Sequence, residues 1–202
     1  RMTTFYLIRH AEKDAPEDVL AGRTPGIGLS ERGRRQAEAI ARRLAAERIE
    51  VVGSSPVQRA RETAEPIART AGVEVQTLTG LHEIEFGEWT GKTFAELEAV
   101  ESWRQFNRFR SGTRVPGGET IGEVQRRFVG EMLRLREAYP NSGVALVSHG
   151  DPIRMTLGYF LGAPLDLFER IEVGLASISV VAIEEFGARV LRMNDTYGTA
   201  DA

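Results

Sequence analysis

Short apolar runs of strand length alternate along this chain with stretches whose apolar residues recur every three or four positions. That alternation restricts it to layered α/β architectures. Residues 3–8 have the β-branched and aromatic content of a buried strand. Ala37, Ile40, Ala41, Leu44 and Ala45 then mark an amphipathic helix over about 30–47, with Ser30 as N-cap and Glu31 in the favourable first turn. Residues 50–54 read as a second strand, and a helix through Ala60, Ala64, Ile67, Ala68 and Ala71 ends at Gly72. Residues 73–78 are a third strand. Thr120 and Glu123 make a capping box at the head of the longest helix, which runs to about 139. After it come a near-continuous buried strand at 144–147, a helix at 152–161, and a hairpin of 177–184 with 188–193 around Phe186-Gly187. No repeat, low-complexity tract or linker interrupts this order, so one domain over 1–202 with a largely parallel sheet is expected.

Three stretches are too rich in Gly and Pro for regular structure: 15–29, 80–93 and 112–119. Loops of that kind usually carry the specificity of an α/β enzyme. Trp103, Phe106 and Phe109 fall at helical spacing and are expected to pack as a lid or core face; Arg104, Arg108 and Arg110 beside them either extend the anion surface or, as expected, form a solvated face.

Composition excludes several functions. The net charge of −3 argues against a nucleic-acid binder, so any anion site must be local. Cysteine is absent, which removes thiol catalysis, disulfides and thiolate metal sites. No apolar run approaches the roughly 20 residues of a membrane span and no signal peptide precedes the first strand, so a cytoplasmic protein is expected. Gly87-Glu88-Trp89-Thr90-Gly91-Lys92-Thr93 imitates a phosphate-binding loop, but it has three residues between its glycines where four are needed, and no strand leads into it.

Chemistry concentrates where strands end. Arg9-His10 follows the first strand, Ser55-Pro56-Val57-Gln58-Arg59 the second, and Ser148-His149-Gly150 the strand at 144–147. In open α/β sheets ligands bind beyond the C-terminal strand ends, so parallel neighbours would bring two histidines and two arginines to one crevice. Two guanidiniums can grip a phosphoryl group bidentately. Their field disfavours a second cation and keeps an imidazole neutral, with a lone pair free to attack phosphorus. A carboxylic acid near the leaving oxygen can protonate it. The scheme needs neither metal nor cofactor. Leu81-His82-Glu83-Ile84-Glu85-Phe86-Gly87-Glu88-Trp89 brings carboxylates to the same rim.

The set Arg9-His10-Ala11-Glu12, Ser55-Pro56-x-x-Arg59-Ala60, Leu81-x-Glu83-x-x-Phe86-Gly87-x-Trp89-x-Gly91, Pro116-Gly117-Gly118-Glu119 and Ser148-His149-Gly150 resembles the histidine phosphatase superfamily, the phosphoglycerate-mutase-like group. The likeness runs from residue 3 to about 195. It implies a three-layer sandwich, with a mostly parallel central sheet and helices on both faces. It also implies that His10 becomes phosphohistidine, that Arg9 and Arg59 bind the phosphoryl oxygens, and that His149, with Gly150 beside it, completes the pocket. Glu83 matches the family's proton donor, although Glu85 and Glu88 share its loop. A looser likeness, through Ala21-Gly22-Arg23-Thr24-Pro25-Gly26, is to a bacterial branch of probable phosphomutases. The opening departs from well-studied members: Ala11-Glu12-Lys13-Asp14 follows His10, and Pro16 stands near the place of an asparagine. This alters contacts to the rest of the substrate and leaves the phosphoryl pocket untouched.

The expected activity is metal-independent hydrolysis of a small phosphate ester through His10. A phosphomutase is the alternative, disfavoured because the chain lacks the longer insertions of glycolytic mutases. A non-catalytic phosphate-binding module is a third reading. His82 is expected to be structural or at the rim, and Asp151 either touches substrate or favours the start of the following helix.

Overall fold

The structure, a computed structural model, describes residues 2–199 and 201–202. Its centre is the six-stranded sheet β3-β2-β4-β1-β5-β6, built from β1 (Met2–Arg9), β2 (Ile49–Ser54), β3 (Val75–Thr77), β4 (Gly143–Ser148), β5 (Ile178–Glu184) and β6 (Ala188–Asp195). The first four strands run parallel; β5 and β6 form the antiparallel hairpin expected at the C-terminal end. β1 lies between β4 and β5, buried on both faces, which is why residues 5–8 are apolar without alternation.

Side chains of successive strand residues point to opposite faces, and each face has its own core. Tyr6, Ile8, Val52 and Val147 pack under α1 (Glu31–Leu44) and α2 (Gln58–Ala71) through Ile40, Leu44, Ala64 and Ile67. Phe5, Leu7, Val144 and Leu146 pack under α5 (Ile121–Ala138) and α6 (Gly150–Leu161) through Phe128, Met132, Ile153 and Leu157. Helices on both faces give the three layers that the resemblance implied. A third cluster, with Ile84, Phe86, Trp89, Phe106, Val115 and Phe168, anchors the irregular segments.

Helix ends follow the sequence closely. Ser30 accepts from Gly33 N–H, Gly72 closes α2 in the left-handed region at φ 71°, and Thr120 with Glu123 makes the capping box of α5. Four details differ from expectation. The glycine-rich stretch at 80–93 holds two short 3-10 turns, Thr79–Leu81 and Gly87–Trp89. Thr93 caps a short helix α3 (Phe94–Glu98). Phe109 is 59% exposed, because α4 (Glu101–Arg108) stops before it and an extended Phe109, φ −146°, leaves the helical spiral that buries Phe106. Arg110 is not a solvated arginine: its guanidinium covers the rings of Phe106 and Phe168 and pairs with Glu169 at 2.8 Å. Among the described residues no helix is long and apolar enough to cross a membrane.

The first turn of α1 is pressed against the loop that follows His10. A Cβ on Gly33 would fall 2.0 Å from the Glu12 carbonyl oxygen, and Ser30 Oγ donates to Glu12 Oε1 at 2.7 Å. Ala usually stabilises a helix by about 1 kcal/mol over Gly. Here Gly33→Ala should instead destabilise by about 1–3 kcal/mol through backbone overpacking, which lowers Tm by several degrees in thermal unfolding. An unchanged or raised Tm would contradict this packing.

Candidate active site

The sheet order places the site. β1 and β4 are neighbours in register, with Arg9 opposite Ser148, and β2 flanks β4 with Ser54 opposite Val147. From β1 the chain leaves to the face covered by α1, and from β4 it leaves to the face covered by α6. A crevice opens where adjacent strands send their connections to opposite sides. Arg9, His10, Ser55, His149 and Gly150 are the residues at its floor.

His10 is 4% exposed. Its Nδ1 lies 2.7 Å from Ala11 O, and since a carbonyl only accepts, Nδ1 carries the proton. Nε2 therefore keeps its lone pair, which accepts from Arg59 Nε at 3.1 Å. Burial, then the charges of Arg59 and Arg9, hold the His10 pKa well below the usual histidine value. A neutral nucleophilic nitrogen thus faces two cations.

Arg59, 2% exposed, sits in the first turn of α2. Its Nη2 donates to Gly22 O at 2.9 Å and lies 3.3 Å from His149 Nδ1. Read with Arg59 as donor, His149 directs an Nε2–H at Ser55 Oγ, 2.8 Å away. The two imidazole rings are 5.2 Å apart, nearly edge to face. Arg9 Nη1 is tied to Val173 O at 2.7 Å, and Gly150 lets that guanidinium lie close over the start of α6, where a Cβ would come within 3.2 Å of Cζ. Arg9 Nε and Arg59 Nη1 are both buried without a hydrogen-bond partner. Leaving such donors unpaired is costly, so their position is one an anion would satisfy.

Glu83 enters from the side, its side chain 15% exposed, with Oε2 3.9 Å from Arg59 Nη2 and 3.6 Å from His149 Nδ1. The contact with His149 is not an ion pair, because burial and Arg59 keep that imidazole neutral. Burial raises the Glu83 pKa to about 7 against the opposing pull of Arg59. A carboxyl poised there can hold a proton at neutral pH and give it up. Its rivals are placed otherwise: Glu85 is paired with Arg23 at 3.1 Å and Glu88 is exposed.

The loop holding Glu83 is clamped by residues to which the sequence motifs assigned no role. Arg23 Nε and Arg127 Nη2 donate to the Glu83 carbonyl at 2.8 and 3.1 Å, and Glu119 accepts from both arginines and from Glu85 N–H. Glu119 belongs to the Pro-Gly-Gly-Glu motif, a usable signal; Arg127 looks like any helix-surface arginine. Thr63 was also missed: its hydroxyl donates to Arg59 O and accepts from Ala11 N–H, coupling α2 to the nucleophile loop. His82 is half-buried behind Glu83, and Asp151 pairs with Arg154 at 2.9 Å.

Paired guanidiniums around a neutral histidine, at the switch point of a parallel sheet, are the apparatus of an α/β phosphoryl-transfer enzyme. Comparison with known proteins supplies the family. The chain belongs to the histidine phosphatase superfamily (branch 1), whose profile matches residues 5–196. It is 32% identical to phosphoserine phosphatase 1 of Hydrogenobacter thermophilus over 96% of this chain and 93% of that protein. It is also 32% identical to a probable phosphoglycerate mutase of Cronobacter sakazakii, over 91% of this chain and 86% of that one. Among solved structures, a mutant phosphoserine phosphatase of Entamoeba histolytica in complex with phosphoserine superposes with a TM-score of 0.85 at 27% identity, covering 97% of this chain and 98% of that one.

Proposed function

We propose that this chain hydrolyses small phosphate monoesters without a metal, through a phosphohistidine on His10. The observation that carries this is the lone pair of His10 Nε2, set among two arginines that each keep a buried unpartnered N–H. In the first step Nε2 attacks phosphorus in line as the ester P–O bond breaks. Arg9 and Arg59 bind the phosphoryl oxygens and Glu83 gives its proton to the departing alcohol oxygen. His149 completes the pocket and Gly150 admits Arg9 to it. In the second step Glu83 takes a proton from water, whose oxygen attacks phosphorus; the N–P bond breaks and inorganic phosphate leaves with His10 restored. Rapid quench with a radiolabelled ester should trap an acid-labile, base-stable phosphoenzyme on His10, and turnover should persist in EDTA. A working enzyme that never carries label on His10 would overturn the scheme.

Glu83 is tested by leaving groups. In Glu83→Gln, kcat/KM for an alkyl phosphate should fall roughly 10²–10³-fold, while p-nitrophenyl phosphate, whose leaving group barely needs a proton, should lose less than about tenfold. The wild-type alkyl reaction should also decline as pH rises through about 7, where Glu83 loses its proton, and this limb should vanish in the variant. Equal losses on both esters would remove Glu83 from the acid role.

A phosphomutase is the second reading, and the relatives named as probable phosphoglycerate mutases favour it. A mutase must also bind a carboxylate or second phosphate of its substrate and return the phosphoryl group to a hydroxyl oxygen. Beyond Arg9 and Arg59 the cleft offers one cation, Lys13, alongside the carboxylates of Glu12 and Glu17, so hydrolysis is the better fit. With 3-phosphoglycerate and a trace of 2,3-bisphosphoglycerate, phosphate release should exceed isomerisation.

A further inference from the structure

The phosphoryl pocket and the cleft it opens into together enclose about 610 Å³, far more room than phosphoserine or phosphoglycerate needs. Val19, Leu20, Phe86, Phe94 and Leu175 form much of its wall. That wall is preformed. Leu20 N–H donates to Lys92 O, Gly91 N–H to Leu20 O and Phe94 N–H to Asp18 O, each at 2.9 Å, which laces 18–20 to 91–94. Phe86 is fixed in the core beneath, whereas Phe94, at 40% exposure, offers ring surface on the rim.

Charge recognition in this outer cleft is sparse. Glu12 is engaged by Ser30 and Arg32. Among the described lining residues, Lys13 is the one cation beyond the phosphoryl arginines, and two carboxylates, Glu12 and Glu17, line the cleft with it. A carboxylated alcohol would meet one lysine, two like-charged carboxylates and an apolar surface, and burying its charge there is unfavourable.

Building on the hydrolase reading above, we infer that the alcohol half of the ester is an uncharged, ring-sized apolar group seated against Leu20, Phe86 and Phe94. Specificity then lies in the ribbon joining 18–20 to 91–94, and the amino-acid and sugar-acid esters suggested by the relatives' names are poor substrates.

The test compares benzyl phosphate, ethyl phosphate and O-phosphoserine. All three release an alkyl alcohol, so leaving-group acidity does not dominate the ranking. Benzyl phosphate should lead in kcat/KM by roughly 10- to 100-fold, the effect of removing a ring from water. Phe94→Ala should raise KM for benzyl phosphate about tenfold and narrow the benzyl-to-ethyl ratio to match, and Phe94→Leu should recover most of it. A preference for O-phosphoserine would overturn the inference. So would Phe94→Ala slowing all three esters equally, because the wall would then only shape the phosphoryl pocket. Failure of the hydrolase reading looks different: no ester is turned over, or turnover survives His10→Ala.

Discussion

His10→Ala should reduce hydrolysis of p-nitrophenyl phosphate to the level of a protein-free blank. The loss expected is on the order of 10⁴-fold or more in kcat, the scale on which a covalent nucleophile works together with its partners. A reactive ester is the stringent choice here, because its good leaving group spares the acid and isolates the attack step. The nitrogen removed is the lone pair that accepts from Arg59 Nε, and His149 cannot replace it while Arg59 and Ser55 hold both its ring nitrogens. The variant should still fold and bind inorganic phosphate, since Arg9 and Arg59 remain. Native circular dichroism with retained phosphate protection against thermal unfolding would establish that. Activity within about tenfold of wild type would eliminate covalent catalysis at His10.

Arg59→Ala should cost roughly 10²–10³-fold in kcat/KM, the range for removing one preorganised donor from a dry site. Three effects coincide at this residue. Transition-state charge loses a guanidinium, His10 loses the larger of the two charges that keep it neutral, and Glu83 loses its nearest cation. The signs are definite. The His10 pKa moves up toward its ordinary value, so the acid limb of the rate profile moves to higher pH. The Glu83 pKa, already raised to about 7, rises further, so the alkaline limb moves up as well. Arg59→Lys should restore charge but not the fork that reaches Gly22 O, His10 and His149 together, and so should recover only part of the rate. A profile displaced in neither limb would show that Arg59 only packs the pocket.

Local patterns were legible wherever one residue's neighbours along the chain set its conformation. Ser30, Gly72 and the Thr120–Glu123 pair stand at helix ends because capping is decided within four residues. Arg9-His10 and His149-Gly150 could be placed at strand ends for the same reason. Phe109 and Arg110 were misread because helical spacing was carried past the point where α4 stops, and only packing on Phe106 and Phe168 reveals what Arg110 covers.

Among Glu83, Glu85 and Glu88 the sequence offers no distinction, since all three are carboxylates in one loop. The distinction comes from Arg23, 60 residues before Glu83, which occupies the Glu85 carboxylate and anchors the Glu83 carbonyl, and from Glu119, which holds the Glu85 N–H. The sequence by itself determined the alternation of strands and helices and the chemistry carried at each strand end, because both depend on short-range periodicity. Which strand ends meet, which carboxyl faces them and how apolar the space beyond becomes were decided by the tertiary structure. Strand order, burial and field strength arise from contacts between distant segments, and no local pattern encodes them.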